Sequence, residues 1–341
     1  MSGGRITMKD IATAAGVSPA TVSLSLRDDP RIARATVAKV KAMAEKLGYQ
    51  PDPHLSHLMG YLQRGKARGE GSVIGVLTDF TEREMREHAY MSLTLGGVEE
   101  RCAQLGYKPS VFSFSKGMGL RRMQGILTAR GIQGLVFMPF REILFRLDEF
   151  DFRRFSAVAI GYGLQSPQLH RAASQQTLAA MRVVGHVLES GYKRIGIVLP
   201  EEIDRRTQHR YLAGFLGQIA CQPGRSEPIP PFLFQDMDLA AFRSWISDYR
   251  VEAIVSSYRE MPETMEAVGI VPGKDVALAM VDYQGQRELA HMAVPYASLG
   301  KAAVNLVHGL LAINERGIPA LPSVLTVPGV WVDGPTLPKA G

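Results

Sequence analysis

Cysteine is scarce in this chain, and that scarcity excludes several classes of protein. Cys102 and Cys221 are the two cysteines among 341 residues, so neither a disulfide framework nor a cysteine-based metal site is predicted. We expect each of them to pack on a helix. The 8 histidines include no pair at metal-ligand spacing with supporting ligands, and no metal is expected.

Long apolar runs are also missing. No stretch of about 18 consecutive apolar residues occurs, and the amino terminus lacks the apolar core of a secretion signal. Together with two isolated cysteines, this pattern predicts a protein of the reducing cytoplasm without a membrane partner.

The common motifs of catalysis are absent as well. The chain has no G-x-x-x-x-G-K-S/T phosphate loop, no G-x-S-x-G turn and no H-E-x-x-H zinc motif. Gly117 and Gly119 form a G-x-G without the third glycine of a dinucleotide fingerprint, which indicates a loop. The sequence therefore predicts neither an enzyme nor a cofactor.

The positive charge is concentrated at the amino terminus. The whole chain has 39 Lys and Arg against 33 Asp and Glu, a net charge of +6. Residues 1–69 hold 11 of the basic and 5 of the acidic residues, which already gives +6, so residues 70–341 balance at 28 against 28. A basic amino-terminal region on a neutral body is typical of contact with nucleic-acid phosphates.

Residues 7–30 have the layout of a helix-turn-helix, two short helices joined by a three-residue turn. Thr7 can cap the first helix, and Gly16 suits its left-handed exit. Ser18 followed by Pro19 suits the start of the second helix. The residues left on the outer face of the second helix are Pro19, Ala20, Thr21, Ser23, Leu24 and Arg27.

The motif KDIATAAGVSPATVS, together with LGYQP at 47–51, resembles the amino-terminal headpiece of the lactose-repressor (LacI) family of bacterial transcription regulators. A third helix from Arg34 to Leu47 would complete a headpiece over residues 1–50. The resemblance implies that the second helix lies in the major groove of operator DNA. The residues that it implies for DNA contact are Thr7, Ser18, Pro19, Ala20, Thr21, Ser23, Leu24, Arg27 and Thr36, with Leu58 beyond the headpiece.

Residues 51–71 follow as a short helix and a linker rich in Gly, Arg and Lys. In the family this position holds a hinge helix that orders on DNA, and Leu58 would wedge into a base step of the minor groove. The family usually has an Ala-Arg or Ala-Gln pair before that leucine, whereas this chain has Ser56 and His57. An ordinary linker helix is the alternative.

From Ser72 onward, apolar strands alternate with helices, the pattern of an α/β fold with doubly wound parallel sheets. This body is long for a single sheet, so two lobes are predicted. The resemblance implies two lobes like those of periplasmic sugar-binding proteins, with a ligand cleft between them. We expect lobe 1 over about 72–163 and 293–321, and lobe 2 over about 164–292 and 322–341.

Ligands of open parallel sheets bind at the carboxyl ends of the strands. The polar and aromatic residues expected there, and hence in an effector site, are Asp79, Phe80, Phe140, Tyr162, Arg210, Tyr211, Tyr258 and Asp282. The resemblance implies Asp282 as a ligand-contacting carboxylate.

Three departures from the family pattern bear on specificity. Tyr211 stands where an effector-gripping arginine is usual, with Arg210 one place earlier. Gln175 and Gln176 replace the usual Asp-Asn pair, so neither a purine nor a common hexose is assumed. Leu24 stands where a base-reading arginine is frequent, and an apolar side chain there favours a thymine methyl over guanine.

The sequence thus predicts a homodimeric, sequence-specific DNA-binding regulator, commonly a repressor in this family, which reads a two-fold symmetric operator. A small-molecule effector, a sugar or sugar derivative, would change its DNA affinity. Two alternatives stay open: a regulator with a vestigial cleft that responds to a protein partner, and an enzyme that carries a DNA-binding module. Turnover of a ligand would favour the enzyme, and the absence of any ligand response would favour the protein partner.

Overall fold

The computed structural model describes residues 6–26, 31–49, 72–114, 119–142, 145–221, 228–284 and 288–340. The chain forms two compact units, one of residues up to Glu70 with Ala312–Asn314, and one of the remaining residues. The predicted headpiece falls in the first unit and the predicted α/β body in the second. Among the predicted site residues, Arg27 and Leu58 lie outside the described residues.

The described residues of the first unit form α1 (Met8–Ala15), α2 (Pro19–Ser25) and α3 (Arg34–Lys46). Thr7 and Ser18 are the N-cap residues of α1 and α2, as predicted. The Thr7 backbone N–H donates to the Asp10 carboxylate at 2.7 Å, and the Thr21 backbone N–H donates to the Ser18 hydroxyl at 3.1 Å.

The core of this unit is small. Its buried side chains are Ile11, Ala12, Ala15, Val22, Val40 and Ala44. Because so little apolar surface is buried, the three helices depend strongly on each of these contacts.

The second unit contains two sheets that are parallel, as predicted, except for the edge strand β14 of the second sheet. The first sheet has the order β13-β7-β5-β3-β1-β2 with all strands parallel. Its strands are β1 (Val73–Thr78), β2 (Lys108–Ser113), β3 (Gly134–Phe137), β5 (Ser156–Ile160), β7 (His170–Ser174) and β13 (Val324–Val327). A separate pair consists of β4 (Phe145–Arg146) and β6 (Leu164–Ser166). The helices of this lobe are α4 (Glu82–Glu87), α5 (Ala89–Gln104), α6 (Leu120–Ala129) and α12 (Tyr296–Ile313).

The second sheet has the order β14-β12-β11-β10-β8-β9, parallel except for β14. Its strands are β8 (Ile195–Pro200), β9 (Phe232–Phe234), β10 (Ala253–Ser256), β11 (Ala277–Met280), β12 (Ala290–Ala293) and β14 (Val330–Val332). The helices of this lobe are α7 (Gln176–Glu189), α8 (Glu201–Arg206), α9 (Arg210–Ala220), α10 (Leu239–Asp248) and α11 (Met261–Ala267). Central strands of both sheets are buried along their length, which explains their continuous apolar runs.

Two of the three predicted crossings between the lobes are displaced. The first lobe was predicted to end at 163 and again at 321, yet β7 and β13 both belong to the first sheet. The chain therefore leaves the first lobe after Ser174 and after Val327. Strand β7 was not predicted because the polar His170 and the charged Arg171 are buried in it and break the apolar pattern of a strand.

Helix α12 returns the chain to the first lobe and packs into its core. By length and composition it is the one described helix that could cross a membrane, but Leu299, Ala303 and Val307 are buried against the first sheet. A Cβ at Gly300 would meet the Thr94 carbonyl oxygen of α5 at 2.1 Å. The absence of a side chain there lets the two helix backbones approach closely.

The two cysteines differ. Cys102 is buried on α5, as predicted, and burial raises its thiol pKa to about 12. The prediction was wrong for Cys221, which is exposed because it directly follows the last residue of α9.

Candidate functional site

The outer surface of α2 presents small, uncharged side chains. Ser18, Pro19 and Ala20 are exposed, whereas Thr21, Ser23 and Leu24 are half-buried. The Thr21 hydroxyl is within 2.9 Å of the Ser18 hydroxyl, so the helix start is held by two hydrogen bonds. Thr7 is exposed at the start of α1, and Thr36 is half-buried in α3.

Basic residues are frequent in the described parts of the headpiece on both sides of α2 in the sequence. Within residues 6–26 and 31–49 the acidic residues are Asp10 and Glu45. The basic residues of the same ranges are all exposed: Lys9, Arg31, Arg34, Lys39, Lys41 and Lys46. This excess supplies the charge that sequence-independent contact with phosphates requires.

In the second unit, the carboxyl ends of the strands of both lobes face each other, and we call the residues between them the cleft. On the first lobe, the two oxygens of Asp79 accept the Arg141 backbone N–H at 3.0 and 2.9 Å. The Arg141 guanidinium lies 4.2 Å above the centre of the Phe80 ring and pairs with Glu84. Asp79 and Phe80 therefore fix the loop after β3 as well as lining the lobe edge.

Phe140 does not have its predicted role, in which its aromatic ring would pack against a ligand. Its ring is buried and stacks on Phe145 with 4.1 Å between ring centres, inside the core of the first lobe. The apolar surroundings of the ring hold it there, so the cleft receives its backbone carbonyl instead.

Tyr162 joins the two lobes through arginine contacts. The Arg210 guanidinium of α9 lies 3.8 Å from the centre of the Tyr162 ring, and that of Arg171 in β7 lies 5.4 Å from it. Arg171 donates to the Gly161 carbonyl at 3.2 Å and to the Gln168 side chain at 2.8 Å. The structure thus brings the predicted Tyr162 and Arg210 together and adds Arg171.

Asp282, at the end of β11, lies in a cluster of hydroxyl groups. The Tyr296 hydroxyl, at the start of α12, donates a hydrogen bond to its carboxylate. Burial raises the pKa of Asp282 to about 6, and the bond from Tyr296 offsets only part of that rise. Tyr211 is buried beside Asp282, its hydroxyl is hydrogen-bonded by Gln176, and burial raises its pKa well above the usual value.

Several polar atoms near these groups are buried without a hydrogen-bond partner among the described residues. They are Gln176 Oε1 at the start of α7, Arg210 Nε and Ser257 Oγ, which follows β10. Tyr258, the next residue, is half-buried, with 5.0 Å between its ring centre and that of Phe234. Buried polar atoms without partners are costly, and in a cleft they indicate a site for a polar ligand.

Arg206 of α8 provides a second link between the lobes. Its guanidinium donates to the Phe140 carbonyl and, at 2.9 Å, to the Arg141 carbonyl, while Glu202 accepts from it at 2.7 Å. These charge-assisted bonds tie the second lobe to the loop after β3.

Sequence reasoning missed Arg171, Arg206 and Tyr296, and it did not connect Gln176 with its hydrogen-bond partner Tyr211. No periodicity or motif relates these residues to the partners that they contact in the cleft. Among the described residues, no three His, Cys, Asp or Glu side chains are grouped to hold a metal ion. A depression on α7 and α9, lined by Leu178, Arg182 and Gln218 among others, shares no residue with the cleft.

Comparisons with known proteins agree with these two units. Residues 7–52 match the family described as bacterial regulatory proteins, lacI family. The chain is 27% identical over 239 residues to the HTH-type transcriptional repressor MelR of Bacillus subtilis (strain 168), an alignment that covers 64% of this chain and 63% of that relative. The chain therefore spans less than two thirds of that curated relative's length.

Two solved structures share the fold over almost the whole chain. A complex of the transcriptional regulator CelR with cellobiose has a TM-score of 0.58 at 15% identity, covering 97% of this chain and 100% of that one. The Lac repressor dimer bound to operator and the anti-inducer ONPF has a TM-score of 0.57 at 17% identity, covering 98% and 100%. The helix-turn-helix unit thus matches the LacI family of bacterial regulatory proteins over residues 7–52, and the chain as a whole shares the fold of these two solved structures.

Proposed function

We propose that this protein is an operator-binding transcriptional regulator, and that a small hydroxyl-rich ligand in the cleft changes its DNA affinity. The exposed Ser18-Pro19-Ala20 surface of α2, flanked by exposed basic residues, is the observation that carries the proposal. Small side chains let a helix approach base edges in the major groove, and the lysines and arginines contribute phosphate contacts. Arg27, Thr36 and Leu58 would add to this interface.

The cleft supports a hydroxyl-rich ligand. Asp282 offers a carboxylate, and Gln176, Ser257 and Arg210 offer buried polar atoms that have no partner in the described part of the chain. A polyol can donate to the Asp282 carboxylate and to Gln176 Oε1, accept from Arg210 Nε, and do either with the Ser257 hydroxyl. Aromatic groups such as Tyr162 and Tyr258 can cover its apolar faces. The cellobiose complex of CelR, a protein of the same fold, agrees with a sugar or sugar derivative.

We further propose a homodimer of the cytoplasm that acts without a cofactor and without catalysis. A two-fold operator needs two headpieces in fixed register, and the Lac repressor structure of the same fold is a dimer on its operator. Two contacts between the lobes, Arg206 with the loop after β3 and Tyr296 with Asp282, would respond to a ligand in the cleft. A ligand that binds one lobe arrangement more tightly shifts the population toward it and thereby alters headpiece spacing.

The test is selection of a binding site from random DNA by the full chain, followed by titration of that site. We expect a two-fold symmetric motif and an affinity that falls by orders of magnitude between about 50 and 200 mM salt. Leu58→Ala should weaken binding to the selected site far more than binding to random DNA, while Leu62→Ala should not. Selection of an asymmetric motif, or binding that is insensitive to salt, would contradict the proposal.

A further inference from the structure

Two arginines in the cleft contact the same aromatic ring, that of Tyr162. Arg171 comes from the first lobe and Arg210 from the second, and both guanidinium groups lie over Tyr162, at 5.4 and 3.8 Å from its centre. Among the described residues, neither arginine makes a salt bridge with an Asp or Glu side chain. Elsewhere in the same unit, arginines such as Arg141 and Arg206 each pair with a glutamate.

Arg171 is the more deeply buried of the two arginines. Its residue is only 3% exposed, and its hydrogen bonds go to a backbone carbonyl and to the neutral Gln168. Burial and the nearby Arg210 cation both lower the pKa of Arg171, which agrees with a buried cation beside a half-buried one. Buried charges are normally paired, because an unpaired one loses its hydration without compensation.

Arg210 carries a buried donor that no described residue accepts. Its outer nitrogen donates to Gln208 at 3.2 Å, whereas its Nε is buried without a partner. The turn that presents it has an unusual backbone, since Gln208 and His209 both have positive φ, 53° and 59°. The turn is held by Asp204, which accepts from His209 Nδ1 at 2.6 Å. Two consecutive left-handed residues other than glycine are costly, and such strain concentrates at ligand sites.

We propose that the ligand of this cleft carries an anionic group, a carboxylate or a phosphate, which Arg171 and Arg210 bind beside Tyr162. The inference rests on the proposed function, because it assigns the chemical class of that function's effector. An anionic oxygen pair would accept from Arg210 Nε and neutralise the two cations, a geometry for which guanidinium groups are suited. The hydroxyl groups of the same ligand would reach Asp282, Ser257 and Gln176. A sugar acid or a sugar phosphate has both parts.

The test compares matched neutral and anionic probes on the full chain at constant ionic strength. The probes are glucose, galactose and mannose, the corresponding uronates, aldonates and 6-phosphates, and inorganic phosphate. We expect the melting temperature to rise with at least one anionic member and not with its neutral counterpart, and the carboxylate and phosphate series will tell the two anions apart. The inference is overturned if a neutral sugar stabilises the chain as much as its anionic counterparts, or if no anion, inorganic phosphate included, stabilises it.

Variants of Arg210 then assign the site. By calorimetric titration, Arg210→Gln should weaken binding of the stabilising anion about ten- to hundredfold, the loss of one charged hydrogen bond. Arg205→Gln, which removes the same charge from an exposed residue of α8, should leave the affinity within about twofold of the wild type. Arg210→Lys keeps the charge and should retain the preference for anionic over neutral probes at reduced affinity. Equal affinity of Arg210→Gln and wild type would exclude Arg210 from the site.

The operator titration separates this inference from the proposed function. If a neutral sugar changes operator affinity, the regulator stands and the anionic ligand fails. If an anion binds through Arg210 and operator affinity does not change, the anion site stands and the effector role fails.

Discussion

The Tyr296 hydroxyl donates a hydrogen bond to the Asp282 carboxylate, and the two residues belong to different lobes. Asp282 lies two residues beyond β11 of the second sheet, whereas Tyr296 begins the helix that packs into the core of the first lobe. Any change in the charge of Asp282, or any ligand hydroxyl that replaces Tyr296, therefore acts directly on the contact between the lobes.

The first prediction concerns the protonation of Asp282. Its pKa rises from 3.8 to about 6 on folding, because burial disfavours the ionised form. Between about pH 4 and pH 6 the Asp282 carboxyl is therefore protonated in the folded protein and ionised in the unfolded chain. The proton bound by the folded state stabilises it at low pH, and this stabilisation is lost as pH rises from about 4 to about 6. A rise of this size corresponds to about 1–3 kcal/mol. The Asp282→Asn variant has no carboxyl group to titrate at this position, so it does not lose this stabilisation. Relative to the wild type, its free energy of unfolding should therefore increase as pH rises from 4 to 7.

Urea denaturation at several pH values measures this difference. Asp248→Asn, which changes an exposed carboxylate at the end of α10, is the control and should track the wild type at every pH. If the Asp282→Asn and wild-type curves run parallel from pH 4 to 7, the carboxylate does not titrate in that range and the prediction fails.

Asp282 could be predicted as a site residue from the sequence, whereas Tyr296 could not. Asp282 could be predicted because it ends an apolar strand, where parallel sheets place their ligands. Tyr296 stands at the start of a largely apolar helix, and its partner lies in the other lobe, so no local pattern relates the two. The caps of α1 and α2 were predictable from Thr7 and Ser18 because capping is a local interaction.

Polar and charged residues that are buried in a strand are a second feature that could not be predicted from the sequence. Strand β7 was missed because it includes His170 and Arg171, and a charged residue in a strand normally indicates solvent. The hydrogen bond of His170 with Glu315, at 2.9 Å, and the contact of Arg171 with Tyr162 come from residues outside the strand. Such compensation is visible only once the chain has folded.

The second prediction concerns Arg206 as a link between the lobes. Arg206→Gln removes charged hydrogen bonds to the carbonyls of Phe140 and Arg141, at a cost of about 1–2 kcal/mol for a partly exposed group. We expect the lobes to separate more often, which should increase the radius of gyration in solution scattering and weaken effector binding about tenfold. Arg205→Gln, on the same helix but exposed, is the matched control. Unchanged scattering and unchanged effector affinity in Arg206→Gln would show that the link does not hold the lobes.

The third prediction concerns the independence of the headpiece. Ile11 is fully buried in a core of six small or medium side chains, and its replacement by alanine should cost about 2–5 kcal/mol. We expect Ile11→Ala to unfold the amino-terminal unit and abolish operator binding, while the second unit keeps its melting temperature and its ligand affinity.

Calorimetric melting of the full chain distinguishes the two units, and Thr13→Ala, an exposed position of α1, is the control. A single transition that falls in temperature for the whole chain would show instead that the units unfold together.

The last prediction concerns base reading by α2. Leu24 is half-buried on the helix that we propose enters the major groove, at a position where the family often has an arginine. A leucine cannot donate to guanine, so the wild type should disfavour guanine at the base that it faces. Leu24→Arg should create a guanine preference there worth about 1–3 kcal/mol, or about five- to 150-fold in affinity. Leu24→Met keeps an apolar side chain and should select the same motif as the wild type. Selection from random DNA with the three proteins, followed by competition titrations, measures the change, and an identical motif for Leu24→Arg would place residue 24 away from the bases.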